Sequence, residues 1–136
     1  MKDAILTIDV EGPRGHDPVL YQIWGKTVNG EYYGISKIMD ICDSFQVKGL
    51  FFVDIPEIWD YGYEKIKEVI LSIRKRDHDV GVHIHPHHMP NETRHFLFDY
   101  TKEEQYSIIK KCTDKYYEIT GEVPKSFRAG KYGANV

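Results

Sequence analysis

The sequence predicts an α/β fold built on a mainly parallel sheet of βα units. Two observations carry this. Short apolar, β-branched runs recur at residues 4–9, 49–54 and 79–84, with a shorter fourth segment at 126–129. Between the later runs, apolar residues repeat at helical spacing. Strands that alternate with helices form a parallel sheet with right-handed crossovers. A third observation bears on function. Acids, histidines and an arginine fall where the runs end, and ligands of such sheets sit at the carboxyl ends of the strands.

The first run, Ala-Ile-Leu-Thr-Ile-Asp, reads as a buried strand that ends on an acid. An irregular stretch follows from Glu11 to about Tyr33. It holds several glycines and prolines and the aromatics Tyr21, Trp24, Tyr32 and Tyr33. A connection of that length is usually functional or hides short elements. Ile35, Ile38, Met39, Ile41, Cys42 and Phe45 predict an amphipathic helix over 35–46. Gly49–Asp54 is the second strand. Ile66, Val69, Ile70 and Ile73 predict a helix over 62–76, ending in Arg74-Lys75-Arg76, where cations complement the helix dipole. Asp79–Ile84 is the third strand. Thr101-Lys102-Glu103-Glu104 reads as a capping box that opens a helix running to Thr120 and stopping at Gly121. Ser126–Ala129 is the fourth strand.

With 136 residues the chain accommodates one domain, 1–136. Hydrophobic residues make up 41% and charged residues 29%, the composition of an ordinary globular protein. The net charge of −3 argues against nucleic acid or an anionic membrane as partner, since both call for a basic face. No apolar run is long enough to cross a bilayer, and the N-terminus lacks a secretory leader pattern, so the expected location is cytoplasmic. Cys42 and Cys112 both fall in predicted helices and read as buried free thiols.

Gly81-Val82-His83-Ile84-His85-Pro86-His87-His88 places four of the seven histidines within six residues, at the end of an apolar strand. Neutral imidazole is the commonest protein ligand for transition metals, so this cluster is a candidate metal site. Along an extended strand His83 and His87 stand roughly 13 Å apart, at about 3.3 Å per residue, too far to share one ion. They share one only if the chain turns between them, and Pro86 favours a turn. If the strand persists, His83 and His85 face the same side and form the pair instead. His16, His78 and His95 lack such a context and are expected to be exposed.

Asp9-Val10-Glu11-Gly12 places two carboxylates two residues apart where a strand meets a loop. One acid can then bind a metal while the other stays free as a base, although either can equally cap a turn. Arg128, at the end of the last strand, suits a carboxylate partner. Trp24, Tyr21, Tyr32 and Tyr33 suit either a sugar-binding face or a small satellite core.

Three segments, in order, resemble the polysaccharide deacetylase family, the carbohydrate esterases related to chitin-oligosaccharide and peptidoglycan deacetylases. Thr7-Ile8-Asp9-Val10-Glu11-Gly12 is similar to the family's acidic first motif. Asp77–His87 is similar to the second, whose two histidines are four apart. Phe127-Arg128-Ala129-Gly130-Lys131-Tyr132-Gly133 is similar to the third. Gly49–Val53 resembles the second strand of that fold.

The resemblance implies the N-terminal part of a distorted (β/α) barrel and a metal-dependent hydrolase that removes N-acetyl groups from a glycan. It implies Asp9 as catalytic base, held by Arg128, and Glu11, His83 and His87 as metal ligands. Trp24 and Tyr132 are the candidate substrate contacts. Zinc suits two imidazoles and a carboxylate with a position left open, and other first-row ions fit the same donors. The second acid is glutamate where the family has aspartate. The family's tryptophan-bearing motif and late histidine, its general acid, have no match in these 136 residues. This leaves a non-catalytic metal- or carbohydrate-binding domain as the alternative. Half a barrel also exposes strand edges, which a second copy of the chain or a further C-terminal segment would cover.

Overall fold

A computed structural model describes residues 4–12 and 29–134. Four strands form one parallel sheet in the order β1-β2-β3-β4: β1 (Leu6–Val10), β2 (Gly49–Asp54), β3 (Asp79–Ile84) and β4 (Phe127–Ala129). The register sets Asp9 beside Phe52 and Phe52 beside Gly81, then Asp54 beside His83 and His83 beside Arg128. Every chemically equipped residue named from the strand ends therefore comes to one rim.

Between the strands lie α1 (Ile35–Ser44), α2 (Glu57–Tyr61), α3 (Tyr63–Lys75) and α4 (Lys102–Thr120). The apolar stripes predict three of these helices to within two residues. Ile35, Met39 and Cys42 of α1, Ile66, Val69, Ile70 and Ile73 of α3, and Ile108, Cys112, Tyr116 and Ile119 of α4 are buried. They pack with Val10, Phe51, Val53, Val82 and Ile84 from the strands into one core. Both cysteines are buried free thiols.

The ends of α4 follow from local chemistry. The Thr101 hydroxyl accepts from the Glu104 N–H, and the Glu104 carboxylate accepts from the Thr101 N–H at 2.7 Å. Gly121 closes the helix in the left-handed conformation, φ 70°, which glycine adopts without strain. At the end of α3, Arg76 bonds to Asp40 and Asp43 on α1, and Arg74 donates to the Thr120 carbonyl at the end of α4 and to Glu122 just beyond it. The basic run thus ties three helices together as well as facing the helix dipole.

Side chains alternate across the strands. Phe51 and Val53 of β2 point into the core, while Phe52 lies on the opposite face with Thr7 and Asp9, beneath the Arg128 guanidinium at 4.2 Å from its ring centroid. Gly81 makes room for this arrangement. A Cβ there would stand 2.6 Å from the Phe52 ring and 2.5 Å from Ser126 Oγ.

Three features depart from the sequence reading. The first strand, expected to be buried, is an outer strand of the sheet and exposed along most of its length, with Val10 its buried residue. Helix α2 has five residues, too few for a periodic signal. His78 is buried, not exposed. Its Nδ1 accepts from the Gly49 N–H at 3.3 Å and its Nε2 faces Asp43 at 3.3 Å, so it buttresses the start of β2.

Candidate metal centre and its acid

The site is assembled from the carboxyl ends of all four strands. Glu11 lies just past β1, where a loop lets its side chain reach across the rim. His83 is the penultimate residue of β3 and His85 follows the strand, still extended, before Pro86 opens a 3-10 turn over Pro86–His88. The two-residue spacing keeps both imidazoles on one side. Glu11 Oε2 is 3.4 Å from His83 Nε2 and 2.6 Å from His85 Nε2. One donor atom from each of the three residues lies within 4.8 Å of the other two. The two imidazoles hold the Glu11 carboxyl well below the usual carboxylate range, chiefly through their hydrogen bonds to it, His83 first.

The surrounding contacts aim these donors. His83 Nδ1 lies 2.9 Å from the Arg128 carbonyl, to which an N–H there donates, and this contact orients the ring so that Nε2 faces Glu11. His85 is wedged against Gly130, where a Cβ would stand 2.5 Å from the ring, and its Nδ1 is buried without a hydrogen-bond partner. The His85 backbone N–H donates to Asp54 at 2.9 Å, which fixes the point where the chain leaves the strand.

Asp9 sits one row back on the same face. Arg128 Nη1 reaches its carboxylate at 2.5 Å while Nη2 donates to the Thr7 hydroxyl at 2.9 Å. Arg128 thus holds both halves of the site, Asp9 through its guanidinium and His83 through its carbonyl.

Of the other residues the sequence points to, His87 falls outside this group. The turn that begins at Pro86 carries its ring to 5.5 Å from the His85 ring and 4.7 Å from His95, and both its nitrogens are buried without hydrogen bonds. Tyr132 is 93% exposed, and the cavity beside the cluster is lined by Glu11, Gly12, His85, His88 and Lys131. Trp24 lies outside the described residues, as do Tyr21 and His16.

Sequence reasoning missed a second group directly behind the first. Asp54, Glu57 and His88 also bring donor atoms within 4.8 Å of one another, and all three are buried. Glu57 Oε1 accepts the Gly12 N–H at 2.6 Å and so anchors the loop that carries Glu11. The signal in the sequence was Asp54-Ile-Pro-Glu57, an acid three residues beyond the acid that ends β2.

Among the described residues, no helix is long and apolar enough to cross a membrane. No curated protein matches the chain. Among solved structures, the peptidoglycan deacetylase PdaC from Bacillus subtilis superimposes with a TM-score of 0.62 at 19% identity, over 96% of this chain and 50% of that one. A putative polysaccharide deacetylase from Mycobacterium smegmatis gives 0.63 at 22% identity, over 96% of this chain and 44% of that one. The chain therefore spans half or less of the length of these structures. The likeness establishes the fold: a parallel sheet with its helices, corresponding to part of the deacetylase (β/α) barrel. The family model for polysaccharide deacetylase matches residues 29–135, which takes in the histidine cluster and Arg128. This chain belongs to the polysaccharide deacetylase family.

Proposed function

We propose that the rim is the metal and base portion of a hydrolase that removes N-acetyl groups from a glycan. The observation that carries the reading is the convergence of Glu11, His83 and His85 beside an Asp9–Arg128 pair. Two imidazoles and one carboxylate fit a divalent ion with an open position, zinc before other first-row ions. The fixed His83 tautomer and the depressed Glu11 carboxyl both suit ligation. An ion bound there would polarise an acyl carbonyl and lower the pKa of a water from about 15.7 to roughly 7.

The chain's own residues do the rest. Asp9 accepts a proton from the attacking water. Arg128 keeps Asp9 aimed, since its guanidinium holds the carboxylate at hydrogen-bond distance. The Arg128 carbonyl fixes the imidazole of His83. The leaving amine needs a proton, and the described residues leave that role unassigned. Tyr132, held out in solvent next to Lys131, is the described candidate for a sugar contact, with Trp24 the other candidate from the sequence. In the sheet, β1 and β4 are the outer strands. Ile5, Leu6 and Phe127 are exposed near those edges, a surface suited to a second copy of the chain or a further segment.

The test is acetate release from N-acetylated glycan fragments, both chitin oligosaccharides and peptidoglycan. The expected result is release with zinc added, none after chelation, and recovery on re-addition. Release that survives complete chelation contradicts the reading. Tight zinc binding with no release from any acetylated glycan favours the second reading, a metal-binding domain without catalysis.

A further inference from the structure

We propose that Asp54, Glu57 and His88 form a second site, for a divalent first-row metal ion, next to the Glu11–His83–His85 cluster. The site stands on its own donors and holds whichever reaction the first cluster performs.

Asp54 ends β2 and Glu57 opens α2, and both side chains are 0% exposed. Each carboxylate is half used. Asp54 Oδ1 accepts the His85 N–H and Glu57 Oε1 accepts the Gly12 N–H. Asp54 Oδ2 and Glu57 Oε2 are buried with no hydrogen-bond partner. Buried carboxylate oxygens are costly without a counter-charge or hydrogen bond, so two bare ones in one place call for a cation.

His88 completes the set. Its Nδ1 is bonded to the Asp60 carboxylate, and its Nε2 faces Asp54 Oδ2 at 3.7 Å. A carboxylate on one ring nitrogen with the other nitrogen turned inward is the arrangement that orients metal-binding histidines. Asp60 lies one turn beyond Glu57 on α2, so the same short helix supplies a donor and the group that aims another.

The charge balance points the same way. The titratable groups facing the cluster are Glu11, Asp60, His85, His87 and Cys112, with Lys131 lining the adjoining cavity. Glu11 and Asp60 add two further carboxylates to the Asp54–Glu57 pair. A carboxylate-rich set with one imidazole suits zinc or manganese.

The two sites share backbone. Asp54 holds the amide of His85, a donor of the first cluster, and Glu57 holds the amide that follows Glu11. Filling the second site therefore stiffens the ligands of the first.

The test is the number of zinc ions retained by the full chain after metal stripping, zinc loading and dialysis. Wild type should hold two. Glu57→Gln, which keeps an oxygen for the Gly12 N–H, should hold one, and so should His88→Gln. Glu11→Gln should also hold one, lost from the other site. Circular dichroism shows which variants are folded, and His88→Gln supplies the reading if Glu57→Gln unfolds. One ion in wild type that folded Glu57→Gln and His88→Gln both retain overturns the proposal. So does a folded Glu57→Gln or His88→Gln protein that still holds two.

Discussion

Asp9→Asn is expected to lower kcat for acetate release by about 10²- to 10⁴-fold, the range for losing a general base, while zinc content stays at the wild-type level. The amide keeps the shape of the side chain and still accepts a hydrogen bond from Arg128, so the guanidinium stays in place. What is lost is the capacity to take a proton. Asp9 is not among the donors that gather at Glu11, His83 and His85, which is why metal content should not change. Kinetics and metal analysis on the same preparation check both halves. Full activity in Asp9→Asn removes Asp9 as base. Loss of zinc along with activity makes it a ligand instead.

The second large effect separates His85 from His87. His85→Gln should weaken zinc binding by more than about 100-fold, the upper end of what losing an outer-sphere partner costs. His87→Gln should leave it within a few-fold of wild type. The reason is geometric. His85 Nε2 lies 2.6 Å from the Glu11 carboxylate, whereas His87 sits past the Pro86 turn against His95. The bare nitrogens of His87 make this a sharp comparison, because they are what a ligand without its ion also shows. Competition against a zinc chelator gives both affinities. The reverse pattern, with zinc lost from His87→Gln alone, returns the ligand set to Glu11, His83 and His87, as the family resemblance implies.

The periodic elements were legible because burial imposes a period. The stripe of Ile66, Val69, Ile70 and Ile73 admits only a helix, and the capping box of Thr101 and Glu104 marks where α4 begins. The strand ends were legible for the same reason, and they brought Asp9, Glu11, His83 and Arg128 to one rim. The choice between His85 and His87 was not. It depends on where the chain leaves the strand, a point to which the Asp54 bond to the His85 amide contributes. That bond joins residues 31 apart in sequence. Glu57 was hidden by a similar cause: α2 is too short to show a period, and the carboxylate matters only because Gly12 reaches it from 45 residues away. His78 looked like a surface residue because nothing local reveals its contacts with Gly49 and Asp43.

The most direct test of the central claim is the anomalous difference density at the zinc edge from crystals of the zinc-loaded chain. A peak coordinated by Glu11, His83 and His85 is expected, with Asp9 beside it and still bonded to Arg128. A zinc-loaded crystal with no peak among those three side chains, or with Glu11 turned away from both imidazoles, contradicts it.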